Sequence, residues 1–214
     1  MSIIALSLVI LGQTSPRAWP RIGIRAFKSE HQMEIWGATN DRGPFQLIAT
    51  YTIAAISGGL GPKRQEGDAQ APEGFYYINR FNPKSQFHLS LGLNYPNSSD
   101  KKLGVAQHLV KDIFIHGNHV SAGCLAMTDP IIDIIYGLAL LARDAGQKAI
   151  PVSIFPCRMN SENWKSLKTQ YASRPDLLSF WSTVRPGYDS FDHSHYWPRP
   201  HVSQNGAYYW PERS

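Results

Sequence analysis

Residues 110–129 read VKDIFIHGNHVSAGCLAMTD, passing from strand-like to helix-like patterning through a loop that holds two histidines and a cysteine. Ile113-Phe114-Ile115 is a short apolar strand that Gly117 stops, so His116 sits at a strand end. Past Cys124 the signals change. Asp129 before Pro130 predicts a helix N-cap with proline at the first helical position, because Asp accepts from free amides and proline has none to leave unpaired. Ile131, Ile134, Ile135, Leu138, Leu141 and Ala142 then recur at helical spacing until Gly146. The span predicts a strand, a polar loop and a helix that lays one face on a sheet.

Upstream, Arg21–Phe27, Gln32–Trp36 and Phe45–Ile53 are rich in β-branched and aromatic residues and are separated by turn signals such as Thr39-Asn-Asp-Arg-Gly-Pro44, which predicts an antiparallel meander. Ser57–Asp68 is a glycine-rich stretch without the Gly-Lys-Ser/Thr ending of a phosphate-binding loop, and it reads as a long surface loop. Phe75–Ile78 and Phe87–Leu91 resume strand character. Downstream, Val152–Phe155 is a further strand, helical stretches follow around Glu162–Gln170 and Asp176–Val184, and the tail from Arg185 is rich in Pro, Tyr and Trp without periodicity.

The chain has 214 residues, enough for one well-buried domain with extensions. Its net charge of +5 is dispersed as single Lys and Arg residues, without the basic block of a nucleic-acid binder. Ser2–Leu11 is an apolar run the size of a signal-peptide core, so residues 1–20 read as an export segment and the protein as periplasmic or envelope-located. No other stretch is long and apolar enough to span a bilayer. Cys124 and Cys157 allow one disulfide, which a chain of this length does not need to hold its core.

The loop admits three chemistries. His116, His119 and Cys124 could supply three metal ligands, but their spacing is not a zinc signature. A nucleophile needs a thiol, a base within reach and amides aimed at the developing oxyanion. Gly123-Cys124 offers the thiol and two amides, and His116, held by its strand, is a better base than His119 in mid-loop. The third alternative is an inert cysteine beside two solvated histidines.

His116-Gly117, Ser121 and Gly123-Cys124, in that order, resemble the signature of the YkuD-type L,D-transpeptidases. Gly61-Pro-Lys63, Glu66-Gly-Asp68, Pro72-Glu-Gly74-Phe75-Tyr76, His88 and Tyr95-Pro-Asn97 are also similar to that family. The short His-to-Cys interval and Gly123–Asp129 most resemble its YafK-type branch, and Ile154-Phe-Pro156, Arg158-Met159, Phe180-Trp181 and Gly187-Tyr-Asp189 extend the similarity over most of residues 21–190.

The resemblance implies a mainly β fold with peripheral helices, a YkuD-like β-sandwich catalytic domain over 21–160, with 161–214 as a helical and irregular extension. It implies that Cys124, deprotonated with help from His116, forms a thioester with a peptidoglycan stem peptide and passes the acyl group to an amine or to water. Gly123 and Cys124 would donate oxyanion-hole amides, Ser121 and Gly117 would support the site, and His88, Asn118 and His119 would face substrate. No metal or cofactor is implied. Two departures stand out: Ala122 replaces the histidine that usually precedes Gly-Cys, and Leu125-Ala126 stand where an arginine usually follows. Loss of a carboxylate clamp opens hydrolysis as an alternative, including cleavage of an amide that joins the stem peptide to a lipoprotein. A non-catalytic peptidoglycan-binding module is the further alternative.

Overall fold

The computed structural model describes residues 19–40, 42–105, 108–109 and 112–211, so the apolar run Ser2–Leu11 lies outside the described residues. Among these, strands β1 (Arg21–Phe27), β2 (Gln32–Ala38), β3 (Gln46–Thr52), β4 (Ala55–Ile56), β5 (Gly74–Ser85), β6 (His88–Leu93), β7 (Phe114–His116), β8 (Leu125–Ala126) and β9 (Ile150–Phe155) make a nine-stranded curled sheet in the order β3-β2-β1-β9-β5-β6-β7-β8-β4. Helices α1 (Ser98–Leu103), α2 (Asp129–Asp144), α3 (Ser161–Gln170) and α4 (Pro175–Ser194) flank it, and the tail closes with the two-residue strands β10 (His201–Val202) and β11 (Tyr208–Tyr209). The architecture is mainly β with peripheral helices, as the sequence predicts.

Each face of the sheet has its own core. On one side Ile22, Ile24, Tyr76, Ile78, Val152 and Ile154 pack with Ile132, Ile135 and Leu138 of α2. On the other, Phe27, Phe75 and Phe155 pack with Leu177, Phe180, Trp181 and Tyr188 of α4. Each such side chain contributes about 1.5–3 kcal/mol when fully buried. Because β1 and β2 are covered on both faces along most of their length, Arg25 and Glu34 within them are buried too. The Arg25 guanidinium lies 3.7 Å from Glu34 and 3.2 Å from Asp192, stacked 4.7 Å from the rings of Tyr188 and Phe191, so the charge is both paired and shielded.

Four local expectations are corrected. The helix after the loop is capped at Thr128, which takes φ 67° and makes no side-chain cap bond. Asp129 is instead the first helical residue, and its carboxylate accepts the Asn118 N–H at 2.6 Å. Helix α4 runs through Pro186 to Ser194 because Tyr188 and Phe191 still bury on its inner face. Helix α1 was hidden in the turn after Tyr95, although Asn97 and Asp100 form a reciprocal capping box.

The fourth correction concerns the glycine-rich loop, which is exposed at Gly58–Gly59 and Gln65–Gly67 as expected but is pinned inside at Gly61, Pro62 and Lys63. Lys28 Nζ reaches the Gly61 and Ala71 carbonyls at 2.8 and 2.9 Å and Glu73 Oε1 at 3.1 Å. Glu73 also accepts from Gly61 N–H at 2.7 Å and Trp181 Nε1–H at 2.6 Å. Further along, Asp68 pairs with Lys63 and accepts the backbone amides of Arg64, Gln65 and Gln70, each at 3.0 Å. These bonds tie the loop to the sheet and set the position of Ser57 at its start.

Candidate active site

Strands β7 and β8 run parallel, with Ile115 opposite Leu125 and His116 opposite Ala126. On the far side of β8, β4 pairs antiparallel, with Ile56 opposite Leu125. Cys124, the residue before β8, is therefore flanked by Phe114 on β7 and by Ser57 just past β4. Two contacts follow from this placement. Phe114 N–H donates to Cys124 Sγ at 3.4 Å, and Gly123 N–H donates to Ser57 Oγ at 2.6 Å. Ile115 belongs to the α2 core. Strand alternation therefore turns both Phe114 and His116 to the opposite face, Phe114 beside the cysteine and His116 two residues further along the strand.

His116 is 2% exposed, and its ring lies 4.7 Å from that of Phe87. Its Nδ1 lies 2.5 Å from the Gly117 carbonyl. A carbonyl can only accept, so Nδ1 carries the proton and Nε2 keeps the basic lone pair. Burial holds the imidazole below its ordinary pKa, with the Gly117 bond acting weakly the other way. The His-Gly pair has a steric cause as well. A Cβ on Gly117 would lie 2.5 Å from Asp129 Oδ1 and 2.8 Å from the Phe87 carbonyl, so only glycine lets the chain pass between them.

The thiol environment corrects the expectation that pairing with His116 lowers the Cys124 pKa. Burial raises it; the Phe114 N–H opposes that, Asp112 reinforces it and the Lys63 ammonium offsets part of it. Among the described residues the polar contacts of Sγ are the Phe114 amide and the Asp112 carbonyl, the latter at 3.9 Å. Both directions favour the neutral forms, thiol and imidazole.

The remaining predicted residues divide. Ser121 Oγ–H donates to the Cys124 carbonyl at 2.7 Å and braces the turn. Gly123 takes φ 100°, which glycine adopts without strain, but its N–H, read as a free oxyanion donor, is already held by Ser57. Asn118 is left-handed at φ 64° and its carbonyl accepts Thr128 N–H at 3.0 Å. His119 is exposed. His88 Nε2 is bonded to Asp133 Oδ1 of α2 at 2.7 Å rather than to any residue of the cysteine loop. Ser57, Asp112 and Phe87 were not singled out from the sequence. Ser57 could have been found only by knowing that β4 pairs with β8.

Among the described residues no group of three or more His, Cys, Asp or Glu side chains is placed to hold a metal, and both cysteines are free thiols.

The fold and this strand–loop–helix unit are those of an L,D-transpeptidase catalytic domain. Residues 22–154 match the YkuD family, described as the L,D-transpeptidase catalytic domain, and the chain belongs to that family. It is 37% identical over 187 residues to YafK of Escherichia coli (strain K12), an L,D-transpeptidase by assignment only, with 86% of this chain and 72% of the relative covered. The same identity and coverage hold for YafK of Escherichia coli O157:H7. Among solved structures, the helical cell shape determining protein Pgp2 of Campylobacter jejuni is 19% identical with a TM-score of 0.49, over 86% of this chain and 73% of that one. Bd1075 of Bdellovibrio bacteriovorus is 21% identical with a TM-score of 0.45, over 81% and 63%.

Proposed function

We propose that the protein is a cysteine acyltransferase acting on peptidoglycan stem peptides in the cell envelope, with Cys124 as nucleophile and His116 as base. The observation that carries this reading is the fixed His116 tautomer: Nδ1 is spent on Gly117, and Nε2 is left basic on the sheet face that flanks Cys124. As Sγ adds to the stem-peptide carbonyl carbon, the thiol proton passes to Nε2. The oxyanion is met by the Cys124 N–H and, once it exchanges its partner Ser57, by the Gly123 N–H. Collapse expels the amine of the residue beyond that carbonyl, which takes the proton back from His116 and leaves a thioester. An acceptor amine then adds, gives a proton to Nε2 and restores the thiol as the new amide forms.

Hydrolysis is a second reading, favoured by one observation. Leu125, which follows the nucleophile, is fully buried in β8, so the usual place for a substrate-carboxylate clamp holds none. Water in place of the amine would free a stem carboxylate, and the substrate could be an amide joining the stem peptide to a lipoprotein lysine. No helix among the described residues is long and apolar enough to cross a membrane, and neither reaction needs one.

Incubation with purified sacculi in water enriched in heavy oxygen, followed by muropeptide profiling, tests the assignment. New unlabelled cross-links support transfer, and heavy oxygen in newly freed stem carboxylates supports hydrolysis. An unchanged muropeptide profile would leave only the non-catalytic binding module.

A further inference from the structure

The Pro-, Tyr- and Trp-rich tail builds a groove that the proposed chemistry does not use. Between the start of β1, the early part of β5 at Tyr76 and Tyr77, and residues 196–211 lies a hollow of about 1030 Å³. It continues into a second hollow of about 450 Å³ and shares with it Tyr77, Pro151, Trp197 and Pro200. Together they are larger than a pocket for one small molecule and have the form of a track for an oligomer. The rims carry exposed aromatic rings, Tyr77 at 43% and Tyr196 at 39% exposure.

Trp197 is seated by the sequence itself. A Cβ on Gly23 would lie 2.2 Å from its ring, so glycine in β1 is what lets the indole lie against the sheet. Tyr77 pairs with Pro151 across β5 and β9. Its neighbours Tyr76 and Ile78 belong to the α2 core, which turns Tyr77 to the opposite face. That is the face to which His116 also turns, so groove and candidate catalytic pair share one side of the sheet.

The lining chemistry selects the occupant. Arg21, Lys101 and Arg199 line the two hollows, and among the described residues no Asp or Glu does, so the ligand is anionic. On the walls Pro151, Pro186, Pro198 and Pro200 stand among aromatic rings such as Trp197 and Trp210, and the prolines have no N–H to pair with a peptide backbone. Flat apolar rings beside cations suit the C–H faces of sugar rings that bear carboxylates.

We infer that this groove binds the glycan strand of peptidoglycan through its sugar rings and through the free lactyl carboxylates of muramoyl residues that have lost their stem peptides, and so brings the stem peptides still carried by neighbouring residues to the same face. The inference rests on the peptidoglycan reading above, but binding can be measured without turnover.

The test uses the full chain with Cys124→Ala, titrated by calorimetry with glycan strands stripped of stem peptides by an amidase. Neutral chitin oligosaccharides and an acidic proline-rich peptide serve as comparisons. The expected result is binding of the stripped strands, weaker binding of both comparisons, and loss of about tenfold in affinity in Tyr196→Ala or Arg199→Ala. The same two substitutions in the Cys124 protein leave turnover of a free stem tetrapeptide unchanged. No binding of the strands, equal affinity in the variants, or preference for the peptide would overturn the groove assignment. A failure of the thioester chemistry would show only in the turnover arm.

Discussion

Ser57 Oγ accepts the N–H of Gly123 at 2.6 Å, and in the mechanism proposed above this hydroxyl oxygen holds the amide that would meet the negative oxygen of the tetrahedral intermediate. A buried amide needs a partner in the resting protein, and Ser57 supplies it from the rim of the pinned loop. The amide must release that oxygen before it can stabilise the reaction. Breaking a hydrogen bond of this kind costs about 0.5–1.5 kcal/mol. Ser57→Ala is therefore expected to raise kcat/KM on a stem tetrapeptide about two- to tenfold. A fall of that size would mean that the hydroxyl donates to the oxyanion instead.

The directions of the two pKa shifts set the pH behaviour. His116 is held below its ordinary value by burial, so it remains a neutral base to lower pH than a solvated histidine. The acid limb of kcat/KM is expected below pH 6.5. Cys124 is raised by burial, so its thiolate appears only at higher pH than that of a free thiol. Iodoacetamide labelling of the substrate-free protein should climb beyond pH 9, and efficient labelling near pH 7 would show an ion pair that the resting geometry lacks. Cys157, pushed up to about 12 by burial with Glu30 and Glu73 nearby, should label more slowly than Cys124 throughout.

Glu73 holds the loop that carries Ser57. Its carboxylate is fully buried against Lys28, the Gly61 amide and Trp181. Glu73→Ala leaves the ammonium buried without its counter-charge, at a cost of about 3–5 kcal/mol. Urea denaturation should show that loss. Glu73→Ala with Lys28→Met should recover a large part of it, and equal loss in the single and double variants would show that the ion pair is not the cause.

Base identity is separable from loop structure. His116→Gln is expected to lower turnover about a hundredfold or more, whereas His119→Gln, at an exposed position, should cost little. Steady-state rates on one stem tetrapeptide compare the two directly, and the reverse order would move the base to His119.

The sequence carried the parts of this account that depend on local pattern. The meander of β1, β2 and β3, the helix after the loop and the strand-end position of His116 were legible from alternation, helical spacing and Gly117. What depended on pairing between distant segments was not. The Ser57–Gly123 bond needs β4 beside β8, two-residue strands too short to announce themselves by periodicity. Asp129 read as a helix cap because capping is the usual use of Asp before Pro. In the fold its carboxylate is drawn to the Asn118 amide. The glycine-rich loop read as wholly surface because its composition is that of a loop, and only the distant, buried Lys28 explains why its middle, Gly61–Lys63, lies inside. The tail offered composition without period, since its Trp and Tyr rings find glycines far away in sequence, Gly23 beside Trp197 and Gly74 beside Tyr208.

The central claim is covalent: Cys124 carries the acyl group. Intact-mass spectrometry of the protein, quenched in acid after brief mixing with a disaccharide tetrapeptide, reads it directly. The expected result is a gain equal to the muropeptide less one free terminal amino acid, mapped to Cys124, retained in Cys157→Ala and absent from folded Cys124→Ala. Turnover of the muropeptide with no adduct at Cys124, or with activity surviving Cys124→Ala, would contradict it.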